Sequence, residues 1–278
     1  MAEPSRCFLP ERGLISIRGP EAAEFLHDLV TADICGLPEG MVRPAALLTP
    51  QGRILHDLLI SRDDGGFLIE CDTNGRGDLL RRFKLFRLRR KLDLEETDLP
   101  VHASINGAGL KDERFAQDVF RLYGDPALPA DGDTDDWKRF RWRHGVPEGG
   151  RDLPSEKALP LEARLDLNNG ISFEKGCYVG QEVTARTRYR GLVKRSYVPV
   201  HADRMIDAPA DIEVEGKQAG LLLDTVRDGE GCLGLASLRL EYLREESRVY
   251  LSGGVAITPF FPDRLLPLPG DTTADERG

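Results

Sequence analysis

The pattern of apolar residues changes in the last third of the chain, and few folds can accommodate the new pattern. From Ser196 onward, short apolar runs are separated by Gly, Asp and Pro, residues that favour turns. These runs lie at residues 197–200, 212–214, 220–225, 231–236 and 247–251. Strands this short and this regularly spaced are typical of a sheet that closes on itself. The sequence therefore predicts a small antiparallel β-barrel over residues 191–265, followed by a tail at 266–278 whose last residues, 271–278, are expected to fray.

The chain before this barrel alternates between strand and helix patterns. Its 278 residues exceed what one core usually organises, so two or three subdomains of about 80–120 residues are expected. Strands are predicted at residues 14–17, 45–49, 54–60, 66–70, 101–105 and 119–122. Pro50 and Gly52 lie between the second and third strands and predict a hairpin turn. Helices are predicted at 22–29 and 137–144, and the chain after Val183 reads as a helix or an extended segment.

One further predicted helix carries most of the chain's segregated positive charge. It is expected to begin at Asp78, a good N-cap residue, and to turn Phe83 and Phe86 toward the core. Its remaining faces carry seven cations: Arg81, Arg82, Lys84, Arg87, Arg89, Arg90 and Lys91. A solvated cationic face is the commoner meaning of such a pattern. In a chain of net charge −9 it could also receive a polyanion, either an RNA backbone or a polyglutamate tail.

Composition and the missing motifs limit the function further. No apolar run approaches the roughly 20 residues that cross a bilayer, and the N-terminus lacks a secretory signal, so a cytoplasmic protein is expected. The sequence has no phosphate-binding P-loop, no G-x-S-x-G elbow and no H-E-x-x-H motif, which argues against nucleotide and zinc hydrolysis. Five cysteines without a C-x-x-C pair argue against disulfides and against an intrachain zinc or iron-sulfur cage. A metal role would need ligands from outside the chain.

The run F-E-K-G-C-Y-V-G-Q-E-V-T-A-R, residues 173–186, is the segment least explained by packing. Cys177 follows Lys175 by two residues, and a nearby cation favours the thiolate form of a cysteine. The alternative is that Cys177 is a small buried hydrophobic residue, as most free cysteines are. From the residues alone the two interpretations carry equal weight.

Gln181 and Glu182 are open to two interpretations as well. An amide and a carboxylate can bind the polar edge of a heterocycle, because a carboxylate accepts two N–H bonds in one plane. The same residues can instead cap the helix that is predicted to follow them. Both interpretations remain open.

The string K-G-C-Y-V-G-Q-E, residues 175–182, closely resembles the signature of the YgfZ family. This family comprises folate-binding relatives of the glycine-cleavage T-protein that assist iron-sulfur protein maturation. Residues 25–34, 47–57, 79–92 and 143–149 support the resemblance in the family's order. Together these segments cover most of residues 13–260.

The resemblance implies an α+β fold with three lobes arranged as a cloverleaf. Two ferredoxin-like α+β lobes would interleave, the first from residues 1–45 and 137–190 and the second from residues 46–136. The C-terminal antiparallel β-barrel would be the third lobe. A central channel between the lobes would hold tetrahydrofolate.

The resemblance also implies roles for individual residues. Cys177 and Lys175 are the expected catalytic pair. Folate contacts are expected from Gln181, Glu182, Tyr178, Arg186 and Asp57. The T-protein usually carries paired acids where this chain has His56-Asp57, and a mostly uncharged histidine does not replace a fixed negative charge. This departure argues against aminomethyl transfer, although Asp57 could still contact the pterin or cap a turn.

Three functions follow from the resemblance. The favoured one is a tetrahydrofolate-binding accessory factor for assembly or repair of [4Fe-4S] proteins, without free-standing turnover. In it Cys177 acts on a partner, either an iron-sulfur protein or its assembly machinery, as a nucleophile, a transient ligand or a carbon acceptor. The first alternative is a folate-dependent aminomethyl or C1 transferase that uses Asp57. The second is a tRNA-modification factor that binds RNA through the basic helix.

Overall fold

The computed structural model describes residues 4–125, 127–245 and 248–271. It divides into two compact units. The first contains Met1–Trp137, Ser155–Pro160 and Leu165–Val183, and the second contains Lys138–Pro154, Leu161–Arg164 and Thr184–Gly278. The expected α+β class is confirmed. The division into three lobes stays a prediction.

Among the described residues, the first unit is built on a nine-stranded, mostly antiparallel sheet. Its strands are β1 (Arg6–Phe8), β2 (Arg12–Arg18), β3 (Met41–Leu48), β4 (Ile54–Asp63), β5 (Gly66–Asp72), β6 (Asp93–Thr97), β7 (Val101–Ile105), β8 (Leu110–Asp112) and β9 (Val119–Tyr123). Their order is β1-β7-β9-β8-β3-β4-β5-β2-β6, and β3 and β8 pair in parallel. The expected β3–β4 hairpin is confirmed, with Thr49 N donating to Arg53 O across the turn at 2.8 Å.

Two helices, α1 (Ala22–Leu29) and α2 (Arg76–Arg87), contribute to the core of this unit. In α1 the buried side chains recur at helical spacing, on Ala22, Phe25, Leu26 and Leu29. The Phe25 ring meets the Phe83 ring of α2 edge-on, with centroids 5.9 Å apart. Such an edge-to-face pair contributes about 0.5–1.5 kcal/mol beyond the burial of the two rings.

Two expectations for α2 are wrong. The helix begins at Arg76 rather than Asp78, because a 3-10 turn, Thr73–Gly75, follows β5 and leads directly into it. The Asp78 carboxylate lies in the first turn and binds Arg81 and Arg82 instead of capping the helix. Phe86 is 42% exposed, because it lies in the last turn, beyond the part of the helix that the core buries.

The second unit contains the predicted barrel. Its strands are β10 (Arg195–Ala202), β11 (Ala210–Val214), β12 (Lys217–Asp228), β13 (Gly231–Arg239), β14 (Tyr250–Ser252) and β15 (Val255–Pro259). Within the described residues they form a closed antiparallel ring in the order β10-β13-β12-β11-β14-β15, and β15 pairs with β10. Gly220 and Gly234 lie inside strands rather than in turns. A Cβ on Gly220 would lie 2.4 Å from Ser237 O, so only glycine allows this close pairing.

Four short helices complete the fold: α3 (Thr134–Arg143), α4 (Gly149–Asp152), α5 (Gln181–Tyr189) and α6 (Leu240–Leu243). The chain after Val183 is therefore helical. The described part of the tail contacts the rest of the chain, since Leu268 is buried and Arg244 Nε donates to Asp271 Oδ1 at 2.8 Å. Residues 272–278 of that tail lie outside the described residues. No helix in the described ranges is long and apolar enough to cross a membrane.

Candidate functional site

Lys175 anchors the loop that carries Cys177 to the end of helix α1. Its Nζ donates to the backbone carbonyl oxygens of Val30, at 2.6 Å, and Ala32, at 3.0 Å, and also to that of His27. Helix ends leave such carbonyls without partners inside the helix, and a cation there also complements the helix dipole. An ammonium has three donors, so these carbonyls use all of them. The side chain therefore positions the loop that carries the thiol, and a catalytic role for Lys175 stays a prediction.

The surroundings of Lys175 are partly apolar. Burial lowers the pKa of its ammonium to about 8 from the usual 10.5, while the carboxylates of Asp33 and Asp28 act in the opposite direction. The ammonium lies 5.1 Å from the ring centroid of Tyr178, within the range of a cation–π contact. Tyr178 is itself buried, and burial raises the pKa of its phenol to about 12. Among the described residues its hydroxyl has no hydrogen-bond partner.

Cys177 is exposed, between an open glycine and the buried Tyr178. A Cβ added to Gly176 would meet no atom within 4 Å, so nothing crowds the chain before the thiol. The interpretation of Cys177 as a small buried hydrophobic residue is therefore wrong. That description fits Cys7, Cys71 and Cys232, which are buried.

The other end of the loop packs on the tip of the β3–β4 hairpin. Gly180 has a positive φ of +83°, and a Cβ on it would lie 2.6 Å from the carbonyl oxygen of Thr49. Gly52 at the hairpin tip also has a positive φ, and a Cβ there would lie 3.2 Å from Val183 Cβ. Both positions therefore require glycine. The loop is held at both ends, by Lys175 and by Gly180, and it presents Cys177 between them.

Three further expected folate contacts, Gln181, Glu182 and Arg186, lie on α5. The backbone N–H of Gln181 donates to Tyr178 O at 3.2 Å, which joins the loop to the helix. Glu182 and Arg186 are exposed and stand four residues apart, so they lie on one face of the helix. A role for these side chains in ligand binding stays a prediction.

His56 and Asp57 are neighbours on β4, so their side chains point to opposite faces of the sheet. His56 Nε2 lies 3.1 Å from Asp78 Oδ2, and burial lowers the pKa of the imidazole below its usual value. A neutral imidazole does not supply the charge that the T-protein's paired acids provide. Asp57 is 13% exposed and forms an ion pair with Arg12 at 3.4 Å. Both environments argue against aminomethyl transfer.

A buried network of charges, which sequence reasoning missed, continues from Arg12 into the first unit. Arg12 Nε donates to Glu70 Oε1 at 2.8 Å, and Tyr123 Oη donates to Glu70 Oε2 at 3.0 Å. Arg121 Nε is 3.3 Å from the same oxygen, and neither Arg121 nor Glu70 is exposed. Glu70 is on β5 and Tyr123 on β9, and three strands separate them in the sheet order. The sheet therefore curls, so that side chains of β5 and β9 meet in this buried polar network.

The cations of α2 and of the segment that follows it are partly paired within the chain. Arg81 and Arg82 share the Asp78 carboxylate, whose pKa they hold well below its usual range. Arg90 pairs with Asp28 at 2.6 Å, and Arg87 Nη1 donates to the carbonyl of Leu92. These contacts reduce the positive charge available to an RNA backbone or to a polyglutamate tail.

A likeness to a solved structure identifies the fold. The chain superimposes on the glycine cleavage system aminomethyltransferase T from Bartonella henselae with a TM-score of 0.70, over 94% of this chain and 86% of that one. The two are 14% identical in sequence, so the likeness shows a T-protein-like fold and no more. Residues 194–266 match the family model described as the CAF17 C-terminal beta-barrel domain, in agreement with the closed barrel.

Curated relatives show the family. The chain is 32% identical to "Iron-sulfur cluster assembly factor IBA57, mitochondrial" of Mus musculus. The alignment has a length of 306 residues and covers 92% of this chain and 84% of the relative. It is 35% identical to the protein of the same name from Homo sapiens over 304 residues, with the same coverage. The chain belongs to the CAF17/IBA57 family.

Membership of this family confirms part of the resemblance and corrects another part. A family with a T-protein-like fold and relatives in iron-sulfur assembly is confirmed, whereas the specific YgfZ assignment is not. The expected cytoplasmic location is wrong, because the relatives are named as mitochondrial factors. Their names point to the mitochondrion.

Proposed function

We propose that this chain is an accessory factor for the assembly or repair of [4Fe-4S] proteins, and that it acts through the thiol of Cys177. The observation that carries the proposal is the exposure of this thiol on a loop fixed at both ends. The relatives are named as iron-sulfur cluster assembly factors, which supports the same proposal.

An exposed thiol with too few neighbouring thiols to complete a cluster suits transient ligation of iron better than permanent storage of a cluster. Iron-sulfur clusters are held by several thiolates, typically four. The thiols of Cys7, Cys71 and Cys232 are buried, and Cys35 is the one other exposed cysteine, so the chain does not supply four thiolates around Cys177. The remaining ligands would come from a partner protein, with the cluster as cargo that passes between the two. The fixed loop lowers the ordering cost of presenting the thiol to that partner.

Tetrahydrofolate is the proposed ligand next to this loop. Buried hydroxyls are normally hydrogen-bonded, so the unpartnered Tyr178 hydroxyl fits a polar group of a bound heterocycle. Gln181 and Glu182 would hold the pterin edge, and Arg186 would meet the glutamate tail. Asp57 is proposed as a further contact with the pterin. The folate would supply a reduced pterin that can carry a one-carbon unit.

The role of the thiol is tested in cells that lack the endogenous protein. They receive the wild type, Cys177→Ser or Glu174→Gln, an exposed control three residues away in the same loop. Activities of [4Fe-4S] enzymes are measured with protein levels matched. We expect Glu174→Gln to restore them and Cys177→Ser to fail. Full restoration by Cys177→Ser would remove the thiol from the function.

Folate binding is tested separately on the purified protein. Titration calorimetry with tetrahydrofolate compares the wild type with Tyr178→Phe and Glu182→Gln. Both variants are expected to bind more weakly, because each loses a polar contact with the pterin. Equal affinities in all three proteins would contradict the site, and no heat of binding in the wild type would contradict the ligand.

A further inference from the structure

Three side chains with metal-ligating atoms meet where helix α1 ends. They are His27, in the last turn of the helix, and Asp33 and Cys35, in the loop that follows it. One ligand atom of each lies within 4.8 Å of the other two. His27 Nδ1 and Asp33 Oδ1 are 3.1 Å apart. Cysteine spacing could not reveal this group, because two of its members are not cysteines.

The backbone that carries these ligands is tightly held. Arg43 Nη1 donates to the carbonyl of Asp33 at 2.7 Å, and Arg62 Nη2 donates to that of Cys35 at 3.1 Å. Ile34, between the two ligands, is fully buried. The fold therefore orders the ligand loop before any ion arrives, which lowers the cost of binding.

The imidazole of His27 is poorly satisfied by the protein itself. Its side chain is 20% exposed, and Nδ1 is buried without a hydrogen bond in the described parts of the chain, although Asp33 Oδ1 is within ion-pair distance. The Asp33 oxygen instead accepts the backbone N–H of Gly36 at 3.1 Å. A buried nitrogen without a donor or acceptor is unfavourable, and a metal ion would satisfy it.

The charge around Cys35 favours a cation. Burial and then the carboxylates of Asp33, Glu24 and Asp28 raise the pKa of the Cys35 thiol, and the ammonium of Lys175 acts in the opposite direction. A set of one imidazole, one thiolate and one carboxylate combines ligands that Zn²⁺ accepts, at bond lengths of about 2.0–2.3 Å. Hard cations such as Mg²⁺ and Ca²⁺ prefer oxygen ligands throughout.

We propose that His27, Asp33 and Cys35 bind a thiophilic divalent cation of the Zn²⁺ type, with the fourth tetrahedral position open to water or to a partner's ligand. Binding forms the metal–sulfur bond, and the thiol proton leaves to solvent. Lys175 Nζ bonds the carbonyls of His27 and Ala32, so the ion would brace the same turn that anchors the Cys177 loop.

The test uses Co²⁺ as a spectroscopic probe for Zn²⁺. Purified full-length protein, stripped of metal and kept reduced with a phosphine, is titrated with Co²⁺ and then with Zn²⁺. We expect a thiolate-to-cobalt charge-transfer band at one equivalent, which Zn²⁺ abolishes. Cys35→Ser should lose the band. His27→Gln and Asp33→Asn should each weaken Co²⁺ binding by at least about 100-fold, more than the loss of an outer-shell partner usually does.

Cys177→Ser is the matched control, because it removes the other exposed thiol and should keep the band. Circular dichroism of each variant verifies that the fold is retained. The proposal is overturned if the wild type shows no band, if Cys35→Ser retains it, or if Cys177→Ser abolishes it. It is also overturned if His27→Gln binds Co²⁺ as tightly as the wild type.

Discussion

Replacing Lys175 with methionine tests the claim that this side chain anchors the Cys177 loop. Methionine keeps an unbranched stem of similar length and removes the ammonium. The carbonyls of Val30 and Ala32, in residues that are fully buried, would lose their donor, as would that of His27. The change therefore separates the polar anchor from the packing of the stem.

The expected loss of stability follows from the number of bonds. Hydrogen bonds to a charged group contribute about 1.5–3 kcal/mol each, so three of them come to at least about 4.5 kcal/mol. Removing a partly buried ammonium also removes its own desolvation cost, which burial makes visible in the lowered pKa of Lys175. We expect Lys175→Met to destabilise the first unit by about 2–4 kcal/mol.

Hydrogen exchange followed residue by residue is the suitable assay, because a chain with two compact units need not unfold in one step. The Ser172 amide donates to Thr31 O at 2.9 Å and should lose protection in Lys175→Met, while amides of the barrel strands keep theirs. The exposed Lys157 supplies the control Lys157→Met. If the two variants agree within about 0.5 kcal/mol and the Ser172 amide stays protected, the anchoring role is refuted.

Three further predictions concern the surroundings of the site. Glu70→Ala leaves the buried Arg12 and Arg121 without this carboxylate partner and should lower the free energy of unfolding, measured in urea, by about 3–5 kcal/mol. A loss typical of a surface position would contradict the network. His56 has a lowered pKa in the folded state, so acidification below its unfolded value of 6.5 should destabilise the wild type more than His56→Gln; parallel stability profiles would refute this. Gly180→Ala combines a positive φ with a clash on Thr49 and should lower the free energy of unfolding by more than about 1–2 kcal/mol. Gly176→Ala lies in open space and should change thermal unfolding little. Equal midpoints of thermal unfolding for the two variants would contradict the packing of Gly180.

Features set by local periodicity could be predicted from the sequence. Five of the six barrel strands, the β3–β4 hairpin and helix α1 each follow from apolar spacing and turn residues within a short window. The β1, β6 and β8 strands and the last barrel strand, β15, were not predicted. β1 and β8 contain only three residues each, and β6 (Asp93–Thr97) is mostly acidic. None of these three strands therefore offers a clear alternating pattern of apolar and polar residues.

Roles that depend on distant contacts could not be predicted. Lys175 reads as a cation beside a thiol, yet its partners lie about 145 residues earlier, at the end of α1. Glu70 reads as the polar end of a strand, but the curled sheet buries it against Arg12 and Tyr123. The exposure of Cys177 follows from the way both ends of its loop are fixed, and neither anchor has a local sequence signal.

The cluster content of a [4Fe-4S] client protein tests the central claim most directly. The client is isolated from cells that carry either the wild-type chain or Cys177→Ser, and its iron and acid-labile sulfide are measured per polypeptide. The account predicts a client that is present at normal levels but depleted of its cluster in the Cys177→Ser cells. A fully loaded client in those cells would contradict a role for this thiol in iron-sulfur assembly.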